Sequence, residues 1–235
     1  MIYFVTPAWQ RFDLTKVVLE QRRSCIDFLN ARGVDAGQVV IADDDNADTA
    51  ASMGFAVLRR RNYALGRRFN DGFEYAARHG AEWIVPIGSD SFLDPAYLFP
   101  LPAEGVMRTS SLYAIAEPGR LGRLRKQGGV GVGPYMLPRS CLPKDLRPAN
   151  DVKRRGVDSS TMKGLKKRPL YEFTDLHPWQ YVGFRSYPQL NPYNKLYSRL
   201  GVGEEPEVVE RLSEYYPAGL VERALAACEA REIAA

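Results

Sequence analysis

Cysteine and histidine are scarce in this chain of 235 residues, which holds three of the former and two of the latter. Cys25, Cys141 and Cys228 lie far apart and form no CxxC pair, so we expect neither a disulfide framework nor a thiolate zinc site. Two histidines leave little room for a His-rich metal centre. No apolar run approaches the ~18–20 residues of a membrane span. Because the first residues also lack the pattern of a signal peptide, we expect a cytoplasmic protein.

Charge is distributed unevenly along the chain. The formal net charge is +4, but residues 120–168 hold 14 Lys and Arg against 3 Asp and Glu, and the remainder holds 18 against 25. A basic segment within an otherwise acidic chain indicates a partner with several negative charges. A solvated basic face without a partner is the alternative interpretation. The overall content of 45% hydrophobic and 26% charged residues excludes a disordered or fibrous chain.

Hydrophobic patterning over the first 95 residues alternates between strands and helices. Short β-branched and aromatic runs predict strands, and apolar residues at helical spacing predict amphipathic helices. We expect strands at 2–6, 38–42, 55–58 and 83–87, and helices at 13–31 and 66–78. This order predicts an α/β fold with a mostly parallel, Rossmann-like central sheet that is flanked by helices. Such sheets bind ligands at the carboxyl ends of their strands.

The pattern changes after residue 95. We expect a strand at 106–116, a turn at 117–120, and a helical segment at 208–233 that is interrupted near Pro217. The glycine-rich run at 128–133 lacks the strand-to-helix context of a dinucleotide-binding loop, so we interpret it as an ordinary loop.

Acidic clusters follow two of the predicted strands. The second strand runs into Asp43-Asp44-Asp45-Asn46, for which we expect a loop, and the fourth runs into Gly88-Ser89-Asp90. Because the carboxyl ends of parallel strands meet at one edge of a sheet, both clusters are expected at the edge where ligands bind.

Four features in this order resemble the GT-A nucleotide-sugar glycosyltransferases, especially family-2-like members. They are the Thr6-Pro7 turn that leads to Arg11, the Asp43-Asp44 pair, the Asn70-Asp71-Gly72 segment, and the run Ile84–Pro95, which is similar to a DxD motif followed by x-Leu-Asp-Pro. The resemblance is clear for residues 1–100 and weak for 101–190. It implies a GT-A fold with a nucleotide-sugar-binding half at 1–100, an acceptor-binding half of the same domain at 101–200, and a C-terminal helical segment at 201–235.

The resemblance implies a divalent cation, Mn²⁺ or Mg²⁺, that offsets the charge developing on the sugar diphosphate as its glycosidic bond breaks. Asp90 matches the second acid of the DxD motif, and His177 resembles the late histidine that completes the metal or phosphate site. Gly88 stands where the first acid is usual, which leaves Ser89 or Ser91 to replace its sugar or ribose contacts. Two alternatives stay open: Asp90 as the N-cap of a following helix, and His177 as a hydrogen-bonded turn residue.

The same resemblance implies a nucleotide site. Asp43 and Asp44 match an acidic pair whose first member accepts a hydrogen bond from the base, and uracil presents an imide N–H for it. The loop that flanks the nucleotide would contain Thr6, Pro7, Trp9 and Arg11. Arg67 and Arg68 lie where the family places an arginine that contacts the diphosphate, and the choice between them stays open. The alternatives are a solvated turn for the two acids and a core position for Trp9.

A candidate catalytic base lies in the second half of the chain. The segment Gly156-Val157-Asp158 resembles the Glu-Asp segment of the family, with Val157 in place of the usual glutamate. The resemblance implies that Asp158 takes the proton of the acceptor hydroxyl in an inverting reaction. Helix capping is the alternative role for this residue.

These features together predict transfer of a sugar from a nucleotide sugar, with a UDP-sugar favoured, to a hydroxyl acceptor. Because the basic segment falls in the acceptor half, we expect an anionic acceptor. DNA with hydroxymethylated bases, as for phage-type DNA glycosyltransferases, is one such acceptor. Aromatic residues beside the basic ones could hold an unstacked base; they are Tyr135, Tyr171, Trp179 and Tyr181. A protein, glycan or lipid acceptor is the alternative.

Two other classes of protein remain open from the sequence. A nucleotidyltransferase would share the α/β sheet and the metal-binding carboxylates, but the glycine-rich, lysine-containing loop that usually follows its first strand is replaced here by residues 6–10. A non-catalytic nucleic-acid-binding module would explain the basic segment and would leave the acidic clusters at the sheet edge unexplained.

Overall fold

Two β-sheets and the helices that pack on them form the computed structural model of this chain. The structure describes residues 1–43, 45–109, 112–117, 120–125, 135–153, 157–166, 169–173, 179–184 and 205–229. The strands are β1 (Ile2–Pro7), β2 (Ala36–Ala42), β3 (Ala56–Arg59), β4 (Trp83–Pro86), β5 (Ser91–Leu93), β6 (Val106–Thr109), β7 (Leu112–Glu117), β8 (Arg120–Arg125), β9 (Tyr135–Pro138), β10 (Leu170–Phe173) and β11 (Tyr181–Phe184). The helices are α1 (Phe12–Asn30), α2 (Asp45–Ser52), α3 (Leu65–Arg78), α4 (Val157–Gly164), α5 (Glu205–Ser213) and α6 (Ala218–Glu229).

The larger sheet is mostly parallel. In the described part of the chain it has seven strands in the order β10-β6-β9-β4-β1-β2-β3. β1 runs parallel to β2 and β4, β2 runs parallel to β3, and β10 runs parallel to β6. β9 is antiparallel to both of its neighbours. The predicted α/β fold with a mostly parallel central sheet is confirmed.

Helices cover both faces of this sheet. The side chains of β1 alternate between the two faces, so both faces carry apolar residues that have to be buried. Ile2 and Phe4 are fully buried in one cluster with residues of α1 and α2. Val5 is buried in a second cluster that contains Phe69 and Phe73 of α3. Helices α1 and α2 therefore cover one face of the sheet and α3 covers the other, as in a doubly wound fold.

The smaller sheet carries the C-terminal helices. Its described strands have the order β5-β11-β7-β8, and its residues share a buried cluster with α1, α5 and α6 that includes Phe92, Phe184, Leu212 and Val221. The predicted interruption near Pro217 is confirmed, because α5 ends before this proline and α6 begins after it. No helix within the described ranges is long and apolar enough to cross a membrane.

Two predictions about local structure are wrong. The loop expected at 43–46 is shorter, because Asp45 already begins α2, which buries Ala47 and Ala50 against the sheet. The single strand expected at 106–116 is two strands, of which β6 pairs with β10 and β9 in the larger sheet and β7 pairs with β8 and β11 in the smaller one. The apolar residues of 106–116 indicate buried strands. They do not show that the chain passes from one sheet to the other within this range.

Helix α3 packs unusually closely on the sheet through a glycine. A Cβ atom at Gly72 would overlap Cγ1 of Val5 and would lie 2.9 Å from Cδ1 of Ile41. Both contacts are with fully buried strand residues, which have no room to move aside in a close-packed core. Gly72 therefore fixes the distance between α3 and strands β1 and β2.

We predict that Gly72→Ala lowers the free energy of unfolding by about 1–3 kcal/mol, because the added methyl group forces α3 away from β1. Urea denaturation followed by circular dichroism measures the change. Gly219→Ala in α6 is the matched control, since a Cβ there meets nothing within 4 Å, and its stability should be unchanged or slightly higher. Equal destabilisation of both variants would contradict this account of Gly72.

Candidate functional site

The carboxyl ends of β1, β2 and β4 form one continuous edge. Pro7 of β1 aligns with Ile41 of β2, and Val5 aligns with Pro86 of β4. The strand hydrogen bonds continue one residue further, because the Ala8 amide donates to the Ile41 carbonyl at 3.0 Å and the Ile87 amide donates to the Val5 carbonyl at 3.0 Å. The segments that follow the three strands, including the two acidic clusters predicted from the sequence, therefore leave the sheet at the same edge.

Asp90 lies in the turn between β4 and β5 and is 7% exposed. Its Oδ2 accepts a hydrogen bond from Nη1 of Arg11 at 2.8 Å, and its Oδ1 accepts one from the Ser91 hydroxyl at 3.0 Å. The Phe184 amide donates to its backbone carbonyl at 2.7 Å. Because strand β5 begins at Ser91, the alternative that Asp90 caps a helix is wrong. The ion pair with Arg11 was not predicted.

The lack of a side chain at Gly88 allows the Asp90 carboxylate to lie against the backbone of the turn between β4 and β5. A Cβ atom at Gly88 would overlap Oδ1 of Asp90. An acid at position 88, which the DxD motif would usually have, is therefore incompatible with the observed position of Asp90. The departure from the motif is matched by a different arrangement of the remaining acid.

Helix α1 anchors the strand that follows Asp90. Arg22 donates from Nη2 to the Ser91 carbonyl at 3.1 Å, and Gln21 donates from Nε2 to the Leu93 carbonyl at 2.8 Å. Cys25 also contacts the Leu93 carbonyl, at 2.9 Å. Burial raises the pKa of the Cys25 thiol to about 11, so it remains protonated and can donate to this oxygen at neutral pH. These contacts from α1 fix strand β5 and with it the turn that carries Asp90.

The loop between β1 and α1 has a strained backbone. Gln10 and Arg11 have φ angles of 54° and 52°, in the left-handed region that costs a non-glycine residue of order 1–3 kcal/mol. Buried side chains hold the loop in place: Arg68 donates from Nη1 to the Ala8 carbonyl at 3.1 Å, and Asn46 donates to the Gln10 carbonyl at 3.1 Å. The strained segment is thus the one that presents Arg11 to Asp90.

The two adjacent arginines of α3 have different surroundings. Arg68 is 8% exposed and lies beneath the β1–α1 loop. Arg67 is exposed in the first turn of α3, with its guanidinium carbon 4.4 Å from the centre of the Tyr63 ring. Of the two candidates for a diphosphate contact, Arg67 is the one that a ligand can reach without unpacking the loop.

The residues expected to hold a nucleoside also differ in accessibility. Trp9 is 44% exposed, so it is not a core residue. Asp43 is exposed, and its Oδ2 accepts a hydrogen bond from the Asn62 amide at 3.1 Å, which ties the end of β2 to the segment before α3.

The other candidates for nucleotide-sugar contacts in these loops are buried, namely Thr6, Pro7 and Ser89. The Thr6 hydroxyl accepts a hydrogen bond from Gln38 at 3.2 Å. Asp44 lies outside the described residues.

Asn70 attaches the basic part of the chain to this edge. Its amide group donates to the Ala149 carbonyl at 2.7 Å and accepts from the Ala149 amide at 2.8 Å. A Cβ atom at Gly66 would overlap the Asn150 carbonyl oxygen, and the Gly66 amide donates to the Lys153 carbonyl at 2.9 Å. The segment 149–153 therefore lies across the first turn of α3.

Helix α4 follows this segment and contains Asp158 in its first turn. The Asn150 amide donates to the hydroxyl of Ser160 at 3.2 Å, so the beginning of α4 lies near the first turn of α3. The backbone of Asp158 is thus on the face of the sheet that α3 covers. Its side chain and all of His177 lie outside what the structure describes.

The described residues do not fit a divalent cation at Asp90. Both carboxylate oxygens already accept hydrogen bonds, and one of them belongs to an ion pair with Arg11. No group of three or more His, Cys, Asp or Glu residues that could hold a metal occurs among the described positions. A metal ion at this carboxylate would have to displace the Arg11 guanidinium or lie beside it, and two neighbouring cations repel each other. The expected role of Asp90 and His177 as metal ligands stays a prediction.

Comparison with known proteins gives similarities of fold only. No protein-family model and no curated protein matches the sequence. One similar solved structure is a Drosophila β1,4-galactosyltransferase 7 mutant with manganese, UDP-Gal and xylobiose, with 16% identity, a TM-score of 0.38, and a match over 59% of this chain and 48% of that one. A second is a glycosyltransferase involved in glycosylation of the major capsid of PBCV-1, with 12% identity, a TM-score of 0.38, and a match over 96% of this chain and 98% of that one. Another is the inositol-1-phosphate CTP transferase from T. maritima (14%, 0.44, 84% and 93%). This chain spans about half the length of the galactosyltransferase chain.

We predict that the two arginines of α3 differ in how much they contribute to stability. Arg68→Met should lower the free energy of unfolding by about 1.5–3 kcal/mol, because the buried Ala8 carbonyl loses a charged donor. Arg67→Met should change it by less than about 1 kcal/mol, because only an exposed cation–π contact is lost. Thermal or urea denaturation measures both. Similar losses of stability in the two variants would show that Arg68 does not hold the loop.

Proposed function

We propose that this protein is a nucleotide-sugar glycosyltransferase that transfers a sugar from a UDP-sugar to a hydroxyl group of an anionic acceptor. One observation carries the proposal: exposed Trp9, Asp43 and Arg67 and the Arg11–Asp90 pair lie on segments at the same carboxyl edge of a parallel sheet. A fold of this kind hosts many activities, so the residues of the edge, rather than the fold, support the proposal.

The nucleoside is proposed to bind beside the end of β2. A uracil base offers an imide N–H donor, and the exposed Asp43 carboxylate is an acceptor whose position is fixed by its bond to the Asn62 amide. The exposed ring of Trp9 offers a surface on which the base can stack. Asp44 is proposed as a second acidic contact, and Thr6 and Pro7 as the buried strand end on which this loop rests.

The diphosphate is proposed to bind between the first turn of α3 and the Asp90 turn. The positive end of the α3 dipole favours an anion near its first turn. The Gly66, Arg67 and Arg68 amides already donate to backbone carbonyls, so side chains are proposed to make the contacts with the phosphates. Arg67 is exposed in that turn and offers a planar fork of donors that matches phosphate oxygens. Ser89, at the Asp90 turn, is proposed to contact the sugar or ribose.

The acceptor hydroxyl is proposed to approach from the side of α4. Asp158, in the first turn of α4, is the proposed base that takes the hydroxyl proton as the new bond to the sugar forms. The electron pair of the broken glycosidic bond passes to the diphosphate oxygen, which leaves as UDP. His177 is proposed to act next to the phosphates.

An anionic acceptor agrees with the exposed cations near this side. Arg147 is not among them, because it donates to Asp71 at 3.0 Å and to Glu74 at 3.2 Å. Two exposed lysines lie there. Lys153 lies against Gly66 and is therefore next to the proposed diphosphate site. Lys163 precedes Gly164, which packs on Pro148 beside the segment that crosses α3. Duplex DNA with hydroxymethylated bases is the acceptor that we propose to test first, because its row of phosphates matches exposed lysines.

We predict that the protein binds UDP and that two substitutions weaken this binding. Trp9→Ala should reduce the affinity about 5-fold to 100-fold through lost stacking, and Asp43→Asn about 10-fold through loss of a charged acceptor. Isothermal titration measures both. Glu82→Gln is the control, since this exposed carboxylate pairs with the chain's amino group at the opposite edge of the sheet. Absence of binding by UDP and other nucleotides, with and without Mn²⁺, would contradict the proposed function.

We predict salt-dependent binding of a duplex oligonucleotide that contains 5-hydroxymethylcytosine. Replacing Lys153 and Lys163 with Gln should weaken binding and lower the salt slope by about 2, because two phosphate contacts are lost. Fluorescence anisotropy across a salt series measures this, with Lys16→Gln, exposed on α1 at the opposite face of the sheet, as control. Absence of binding at low salt would contradict a DNA acceptor and favour a glycan, protein or lipid.

A further inference from the structure

Arg11 has the features of a residue that meets a ligand rather than one that only fixes the fold. Its guanidinium is held by the Asp90 carboxylate, and its side chain remains about one-fifth exposed. A guanidinium has five N–H donors, and the bond to Asp90 uses one of those on Nη1. The remaining donors are on a group that is oriented and partly accessible at the edge of the sheet.

The backbone around Arg11 is arranged at a cost to stability. Two consecutive non-glycine residues, Gln10 and Arg11, adopt left-handed conformations, and strain of this kind persists only where surrounding contacts impose it. Arg68 and Asn46 supply those contacts from two different helices. The loop thus fixes the position of the guanidinium before any ligand binds, which is how preorganised charge stabilises a developing negative charge.

Asp90 is arranged as the partner of this guanidinium. One of its oxygens receives Arg11 and the other receives the Ser91 hydroxyl. The absence of a side chain at Gly88 is what allows the carboxylate to lie there. A divalent cation at the same carboxylate would lie beside the Arg11 guanidinium, and the repulsion between the two cations disfavours it.

On the basis of the proposed function, we propose that Arg11, together with Arg67, binds the diphosphate of the nucleotide sugar, and that Asp90 positions Arg11 instead of holding a divalent metal. In the transfer, the bond between the acceptor oxygen and the sugar carbon forms while the bond from that carbon to the diphosphate oxygen breaks. The electron pair goes to the diphosphate, beside the Arg11 guanidinium. The proton of the acceptor hydroxyl goes to the base.

Titration of UDP and of uridine, each in EDTA and in Mn²⁺, tests the proposal. We expect the unmodified protein to bind UDP equally under both conditions. Arg11→Gln should weaken binding of UDP at least 10-fold and leave binding of uridine unchanged, because only UDP carries phosphates. Arg11→Lys should recover part of the loss. Arg32→Gln, an exposed arginine that lies over the Phe28 ring after the end of α1, is the control and should behave like the unmodified protein.

A second measurement does not depend on nucleotide binding. Removing the guanidinium frees the Asp90 carboxylate, so Arg11→Gln should bind Mn²⁺ more tightly than the unmodified protein, as followed by the electron paramagnetic resonance signal of free Mn²⁺. The added Asp90→Asn change should abolish this gain. Circular dichroism checks that each variant is folded.

The outcomes separate this proposal from the proposed function. UDP binding that requires Mn²⁺ in the unmodified protein and is unchanged in Arg11→Gln would overturn the role of Arg11 and leave the glycosyltransferase proposal standing. Equal losses of UDP and uridine binding in Arg11→Gln would also overturn it, because they would indicate a merely structural role. If no nucleotide binds under any condition, both proposals fall.

Discussion

The position of β1 between β2 and β4 is the constraint on which the site depends. Because all three strands are parallel and in register, their carboxyl ends fall at one edge, and the segments that follow them cannot separate without loss of the buried strand pairing. β2 and β4 lie on opposite sides of β1, so the segments carrying Asp43 and Asp90 start about 10 Å apart, which is two strand spacings. That separation suits a ligand with two ends better than a single ion held by both acids.

Polar side chains in buried positions then hold the loops of this edge. Arg68 reaches the β1–α1 loop from α3, Asn46 reaches it from α2, and Arg22 holds the strand after Asp90 from α1. Each of these groups loses its hydration on folding, so each is stable only where a backbone carbonyl accepts its hydrogen bond. The loops are thereby tied to helices on both faces of the sheet. A loop held in this way can keep a strained backbone that an unsupported loop would relax.

Much of the fold could be predicted from the sequence, because the spacing of apolar residues and the order of strands and helices can be seen directly along the chain. The first four strands and helices α1 and α3 follow from apolar spacing, and the carboxyl edge follows from their alternation. Helix α2 was missed as a whole, because acidic residues favour turns and first helical turns alike. The division of 106–116 between two sheets was missed because strand pairing is a property of the whole fold.

The candidate site was predictable only in part, for reasons that concern side-chain direction. The sequence placed Asp43, Asp90 and the two arginines of α3 at one edge, but adjacent helical residues such as Arg67 and Arg68 point to different environments. The pairing of Arg11 with Asp90 joins residues 79 positions apart, and no local pattern reveals it. The strained conformations of Gln10 and Arg11 have no signal in the sequence either, because neither position is a glycine.

Gly88 and Arg11 are best understood as two parts of one change in charge. With a second acid at position 88, the turn after β4 would carry two negative charges, and a divalent cation would be the matching partner. With glycine there, the turn carries one carboxylate, and a single guanidinium neutralises it. The glycine also supplies the space into which the carboxylate folds. The same residue that breaks the DxD pattern thus makes room for the ion pair, so the departure at 88 and the strained loop that carries Arg11 have a common physical explanation.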